Sequence, residues 1–397
     1  MRPKVVLRRR TVLAVIGVSL VSLITLEGSV RILSTYSYGV KRLTFYRYDN
    51  VLPNNINSLE SLLSSAPFPM APATNEGGFI LNSRGLRTPE YEVTKAPGTT
   101  RIVGIGDSFM FSSGHVPYPQ HFTVVLQERL ETWLGKSVEM INLGIPSVGP
   151  RYEQRMLEVE GVRLNPDLVI WAFFVGNDFV EEIPLSASGA SVKQRVLMNC
   201  HLCRVVRNAY ILLSYTQSPA SPETAPPRGG PAGTYVGSPD DYDPTNPTLP
   251  RSSFIEIQSN LSGIYAPETF PWDSWLSIQQ TMIDVRDLGR QLGIPILVVI
   301  IPAEIQVDDE LLGEVVGGMG RTVEDFEMDS PQRLLTQFFR TNDMPYCDLL
   351  SVFREMQEEA ILYHAQDTHW NSAGNELAGQ AIFDCLVQSE DGILQTN

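Results

Sequence analysis

An α/β fold built on a doubly wound parallel sheet of about five strands is predicted for this chain, on three observations. Short runs of apolar and β-branched residues alternate along it with segments whose apolar residues recur at helical spacing. The runs are continuous, with no polar residue at every second place, as strands covered on both faces by helices require. The chain has 397 residues, 43 % of them hydrophobic and 19 % charged, enough for one large α/β domain with insertions or for two domains.

The elements follow in order. Arg101 to Gly106 (Arg-Ile-Val-Gly-Ile-Gly) reads as the first strand, Phe122 to Leu134 as a helix and Val138 to Leu143 as the second strand. A helix is expected from Tyr152 to Val162, then the uninterrupted apolar strand Asp167 to Phe174. Much later come a helix from Trp272 to Leu292, the strongest strand signal at Pro295 to Ile301, a shorter strand at Tyr346 to Leu350, and a closing helix from Ala373 to Val387. These place the main domain at residues 101–388, with a tail at 389–397.

Two stretches lack this alternation. Residues 34–100 mix Pro, Asn, Ser and Gly and read as a stalk or an irregular layer leading into the domain. Between the third and fourth strands lies an insertion at about 180–271. Its first part, Val192 to Tyr215, is apolar at near-helical spacing, with Lys193, Arg195, Arg204 and Arg207 interleaved. Its second, Ser218 to Pro250, is so rich in Pro, Gly, Ser and Thr that it reads as a loop or linker. No internal repeat is evident.

Charge narrows the partners. Thirty Lys and Arg stand against 45 Asp and Glu, a net charge of −15, and five of the basic residues (Arg2, Lys4, Arg8, Arg9, Arg10) fall in the first ten positions. The remainder is strongly acidic and repels phosphate backbones, which excludes nucleic acid as a partner. Composition, with 30 Gly and 28 Pro, excludes collagen and global disorder.

After the basic start comes Thr11 to Leu26, sixteen uncharged and mostly apolar residues between Arg10 and Glu27. A helix of that length spans roughly 24 Å, less than the ~30 Å hydrocarbon core, so crossing needs snorkelling arginines and continuation through Val30, Ile32 and Leu33. No small-x-small cleavage site follows, and the first cysteine is Cys200, which excludes lipoprotein processing. Residues 1–33 are therefore expected to be an uncleaved single-pass anchor in the inner membrane, with a cleaved signal or a buried helix as alternatives. Its basic flank would stay cytoplasmic and the domain would lie on the periplasmic side. Cys200 and Cys203 stand as C-x-x-C with no second ligand pair, so a structural disulfide or two free thiols is expected before a redox pair or a zinc site. The states of Cys347 and Cys385 stay open, as does the oligomeric state.

The chemistry-bearing residues fall where an open parallel sheet gathers its reacting groups, beyond the carboxyl ends of strands. The first strand ends in Gly106-Asp107-Ser108, the second in Asn142-Leu143-Gly144, the third in Gly176-Asn177-Asp178, and Asp367-Thr368-His369-Trp370-Asn371 precedes the last helix. A serine at a strand end and helix start is suited to nucleophilic attack, with His369 as base and Asp367, two residues before it, to orient the imidazole. The Ser108 and Gly144 backbone N–H groups and the Asn177 side-chain amide would supply the oxyanion hole.

Together the four blocks resemble those of the SGNH/GDSL hydrolase superfamily. Gly106-Asp107-Ser108 is similar to its nucleophile block, Gly144 to its glycine block, Asn177 to its asparagine block, and Asp367 with His369 to its terminal acid-base block. The resemblance covers about residues 100–178 and 290–388. It implies a three-layer α/β/α flavodoxin-like fold and ester hydrolysis or acyl transfer, with no metal or other cofactor. Phe109 replaces the leucine of the G-D-S-L name, Gly176 directly precedes Asn177 where the pattern has one residue between, and the acid stands two rather than three residues before the histidine. Asp-x-His followed by Trp is similar to the membrane-associated branches that O-acetylate bacterial exopolysaccharides.

The leading expectation is thus a membrane-anchored, exported serine esterase acting on an O-acyl ester of a carbohydrate or lipid. An O-acyltransferase using the same residues on an envelope or exported polysaccharide is the nearest rival, and a non-catalytic envelope scaffold the third. A Rossmann-type nucleotide binder lacks its third glycine. Of the remaining residues, His115 and His121 are expected to be solvated or at a helix start, and His364 is a weaker candidate base. Asp107 and Asp178 are expected to brace their turns, and Trp272 and Trp275 to pack on a helix face.

Overall fold

Continuous runs of Ile, Val, Leu and Phe are stable as strands only when both faces are covered, and that is how they are used. The computed structural model describes residues 9–36, 75–76, 79–80, 82, 86–111, 116–146, 148–180, 200–206, 209 and 242–388. Its main sheet comprises β1 (Thr100–Gly106), β2 (Val138–Asn142), β3 (Leu168–Phe174), β4 (Ile296–Ile301) and β5 (Tyr346–Asp348). All pairings are parallel and the spatial order is β2-β1-β3-β4-β5. Every residue of β1, β3 and β4 is buried. This is the expected α/β class, in the flavodoxin-like order whose switch point lies between β1 and β3.

The helices are α1 (Arg9–Tyr36), α2 (Ser108–Phe111), α3 (Phe122–Leu134), α4 (Pro150–Met156), α5 (Arg251–Leu261), α6 (Trp272–Leu292), α7 (Asp309–Gly318), α8 (Ser330–Thr341), α9 (Leu350–Gln357) and α10 (Ser372–Gln388). Packing pairs α3 with α10 and α4 with α6, and right-handed crossovers put the two pairs on opposite faces of the sheet. The helix expected over Tyr152 to Val162 starts at Pro150 as α4 and runs on through a π turn at Leu157–Gly161.

The lead-in is part of the domain where it is described. Leu86, Arg87, Thr88 and Tyr91 are buried, and residues 86–100 form an irregular layer on the domain. The buried Arg101 guanidinium holds that layer. It donates to the Val93, Leu164 and Glu92 carbonyls and to the Glu139 carboxylate at 2.6–2.9 Å. A buried cation is tolerated because these acceptors replace its water.

The returning end of the insertion is also built into the domain. Helix α5, which the periodicity did not indicate, buries Phe254, and Ile264, Tyr265 and Ala266 follow it into the core. Most of Val192 to Tyr215 and of Ser218 to Pro250 lies outside the described residues, as do His115 and residues 389–397.

Among the described residues no helix is long and apolar enough to cross a membrane, so the spanning role expected of Thr11 to Leu26 is not shown. Helix α1 nevertheless leaves Val18, Leu20, Val21, Leu23, Ile24 and Leu26 exposed along its middle. Glu27 does more than bound that stretch. Its carboxylate accepts the His201 and Leu202 backbone N–H groups at 3.0 and 2.8 Å, capping the helical residues 201–206.

Both cysteine pairs are disulfides, Cys200–Cys203 and Cys347–Cys385. The second joins β5 to α10 across a sequence separation of 38. Closing a loop of that length should stabilise the fold by about 2–4 kcal/mol through the unfolded chain. Replacing both Cys347 and Cys385 by alanine is expected to lower the unfolding free energy by that amount in urea titrations.

Candidate active site

The nucleophile turn follows from close packing at the end of β1. A Cβ at Gly106 would lie 2.8 Å from Met110 Cβ and 2.9 Å from the Ala172 carbonyl, so only glycine lets α2 start against β3. Ser108 opens α2. Asp107 is fully buried behind it, accepting the Phe109 backbone N–H at 2.8 Å and the Asn177 amide at 3.0 Å. Burial pushes the Asp107 carboxyl up, against these donors. It is a brace, as the sequence indicates, and it ties the β1 and β3 ends together. Asp178 braces in the same way, accepting the Phe174 N–H at 2.7 Å.

The acid-base loop is shaped before it meets Ser108. His364 N–H donates to the His369 carbonyl, Asp367 N–H to the His364 carbonyl, and Gln366 between them sits at φ 49°, in the left-handed region. Asn371 pins the loop's base through its amide to the Ile361 and Tyr363 carbonyls, and accepts from Gly374 N–H. That network offsets the cost of about 1–3 kcal/mol for a non-glycine residue held at such a φ.

Across this fold the three catalytic candidates meet. Ser108 Oγ lies 2.8 Å from His369 Nε2, and His369 Nδ1 lies 2.5 Å from Asp367 Oδ1. With Nδ1–H donated to the carboxylate, Nε2 keeps its lone pair toward the serine hydroxyl. Ser108 Oγ also has Asp107 Oδ2 at 3.3 Å, but the imidazole is the nearer acceptor.

A doubly wound sheet in flavodoxin-like order, with serine, asparagine and the Asp-x-His pair converging at its switch point, decides the architecture. The sheet order and the Ser108–His369–Asp367 geometry are those that the resemblance to the SGNH/GDSL hydrolases implies.

One block departs from the SGNH/GDSL expectation. The Gly144 N–H, expected as an oxyanion donor, is hydrogen-bonded to Asn142 Oδ1 at 2.8 Å, while Asn142 Nδ2 donates to the Met110 carbonyl. Gly144 is glycine for space. A Cβ there would lie 2.4 Å from Phe111 N, because α2 passes directly over it. The Asn177 amide has two N–H groups, of which one is spent on Asp107. The Gly144 N–H and one Asn177 N–H are thus already engaged, by Asn142 and by Asp107.

Burial alone would push the Asp367 carboxyl up, but hydrogen bonding and charge from His369, with the His369 backbone N–H and the Thr248 hydroxyl, hold it down at about 2. Its folded-state value lies below the ordinary 3.8, so the stability it contributes is fully present above about pH 4 and is lost as pH falls toward 2. That contribution is about 2 kcal/mol. Between pH 4 and 2, wild type should lose about that much more stability than Asp367→Asn, read from urea midpoints.

Other candidates take structural places. His121 is buried at the start of α3 with Nδ1 2.5 Å from Thr123 Oγ1, and burial with the neighbouring Arg87 pushes its imidazole well below the ordinary value. His364 is buried 3.4 Å from Thr248 Oγ1, and it is His369 that meets Ser108. Trp275 is buried on α6, but Trp272 is 53 % exposed beside Phe270 and does not pack as expected. Phe109 is more than a substitute for leucine. Its ring touches Phe174, His369 and Trp370 at centroid distances of 4.3, 5.2 and 4.9 Å, backing the imidazole. The sequence signalled this only through the identity of the G-D-S-L position. Among the described residues no group of three or more His, Cys, Asp or Glu is placed to hold a metal ion.

No protein-family model and no curated protein matches the chain. Solved structures do overlap it. An acetyl xylan esterase is similar at 14 % identity, with 72 % of this chain and 99 % of that one covered and a TM-score of 0.38. A member of the lipolytic G-D-S-L family from Veillonella parvula overlaps at 10 % identity, 73 % and 99 % coverage and a TM-score of 0.36. An acetyl-xylooligosaccharide esterase from Geobacillus Stearmophilus gives 11 %, 73 % and 94 %, and 0.37. At these values none bears on substrate.

Proposed function

We propose that the protein is a serine esterase that cleaves an O-acyl ester of a carbohydrate or lipid through an acyl-enzyme on Ser108. The observation that carries this is the unbroken line from Ser108 Oγ through the His369 ring to Asp367, at 2.8 and 2.5 Å. His369 Nε2 takes the hydroxyl proton as Ser108 Oγ bonds to the acyl carbon. The negative carbonyl oxygen is met by Ser108 N–H and the Asn177 amide. Collapse expels the alkoxide, which takes the proton from His369. Water then repeats the sequence on the acyl-enzyme, releasing the acid and restoring the serine.

The exposed apolar residues of α1 and the basic residues before it support a tether in the inner membrane, with the domain on the periplasmic side. Protease added to spheroplasts should then digest the domain. A mature protein beginning after about Gly28, or a protected domain, would overturn this topology.

The test of the activity is a p-nitrophenyl acyl ester series incubated with the purified full chain, with and without an oligosaccharide acceptor. Release at a rate indifferent to the sugar is expected. Faster release with formation of acylated sugar would make the enzyme a transferase. No release in either arm, with no labelling by a fluorophosphonate, would leave the scaffold.

A further inference from the structure

The nucleophile opens a helix too short to hold itself in place. The last four carbonyls of a helix have no partner within it, and α2, Ser108–Phe111, has only four residues. Two side chains from other parts of the chain supply the missing donors. Asn142 Nδ2 donates to the Met110 carbonyl at 2.5 Å, and Arg87 Nη1 donates to the Phe111 carbonyl at 3.0 Å. Arg87 reaches further. Its Nη2 donates to the Val116 carbonyl at 2.6 Å, so one planar guanidinium joins the end of α2 to the chain that leads toward α3. Arg87 and Asn142 are both buried, at 1 and 2 % exposure. Thr88, next to Arg87, accepts the Asn142 backbone N–H on its hydroxyl at 3.4 Å, so the lead-in touches both supports.

We infer that Arg87 is a positioning residue for the nucleophile: it fixes the C-terminal end of α2 so that Ser108, at the other end, stays 2.8 Å from His369 Nε2. This rests on the serine-esterase reading. At its front end α2 is held by Asp107, which accepts the Phe109 N–H, and that bond is local and tilts with the turn. Arg87 stands 24 residues from Phe111, so it restrains a swing of α2 about the turn that the local bond leaves open. Without it the buried Phe111 and Val116 carbonyls lose a charged donor, and the helix end shifts to find another. The lead-in, which carries none of the four catalytic blocks, thus contributes to the geometry of the site.

Arg87→Met keeps a long stem and removes every donor, and Arg87→Lys returns the charge and a donor without the fork that spans two carbonyls. In the full chain, Arg87→Met should lower kcat for p-nitrophenyl acetate and the rate of fluorophosphonate labelling at Ser108 by roughly ten- to a hundredfold, the scale of a reacting atom displaced by up to 1 Å. KM should stay within twofold. Arg87→Lys should regain about threefold or more in both rates. Urea titration of each variant gives the folded fraction to which the rates are referred. A labelling rate per folded molecule within twofold of wild type in Arg87→Met would overturn the assignment, since a lowered urea midpoint alone marks a structural role. So would a loss that lysine does not reduce, which marks packing and not donation. If Arg87→Met does not fold, Arg87→Gln, with a shorter and neutral amide, is held to the same limits. If wild type itself is not labelled, it is the esterase reading that fails.

Discussion

Replacing Ser108 by alanine is expected to lower ester turnover by on the order of 10⁴- to 10⁶-fold while moving the urea midpoint little. The loss is large because Ser108 Oγ is the hydroxyl joined to His369 Nε2, at 2.8 Å, and no acyl-enzyme forms without it. The fold should tolerate the change because Ser108 is half-buried, and the turn is braced by Asp107 and by the close contact at Gly106. Residual activity would come from the oxyanion donors acting on attack by water. A fluorophosphonate should label wild type and spare the variant. Labelling at Ser112 or Ser113 would move the nucleophile elsewhere and sink the assignment.

The second large effect is expected at His369, in combination with Ser108. His369→Ala alone should cost on the order of 10⁴-fold or more, and the double variant should be scarcely worse than either single one. Removing the base or the nucleophile disables the same step, so the two losses cannot add. Asp367→Asn should cost less than His369→Ala but still orders of magnitude, because an amide can present N–H to the imidazole and turn the wrong tautomer toward Ser108. Additive losses for Ser108 and His369 would mean another base. His364 would be the first to test, although it is committed to Thr248 and to the loop's own backbone.

The strands and the nucleophile were readable from sequence because their signals are local. An apolar run such as Ile296–Ile301 is a strand in almost any parallel sheet, and Gly106-Asp107-Ser108 carries a local turn bond of its own, from Phe109 N–H to Asp107. The Asp-x-His pair was readable for the same reason, as two residues that reach each other within one loop. The fate of Gly144 N–H was not, since it depends on how Asn142 folds back beneath α2, a contact set by the approach of two elements. Cys347 pairing with Cys385, Phe109 backing His369, and Thr248 reaching His364 all join residues distant in the chain. Periodicity and spacing report what a segment does with its neighbours, so they place each catalytic side chain on its element. Which side chains then meet is decided by long-range packing of the sheet and its helices, a free-energy balance that no single segment carries.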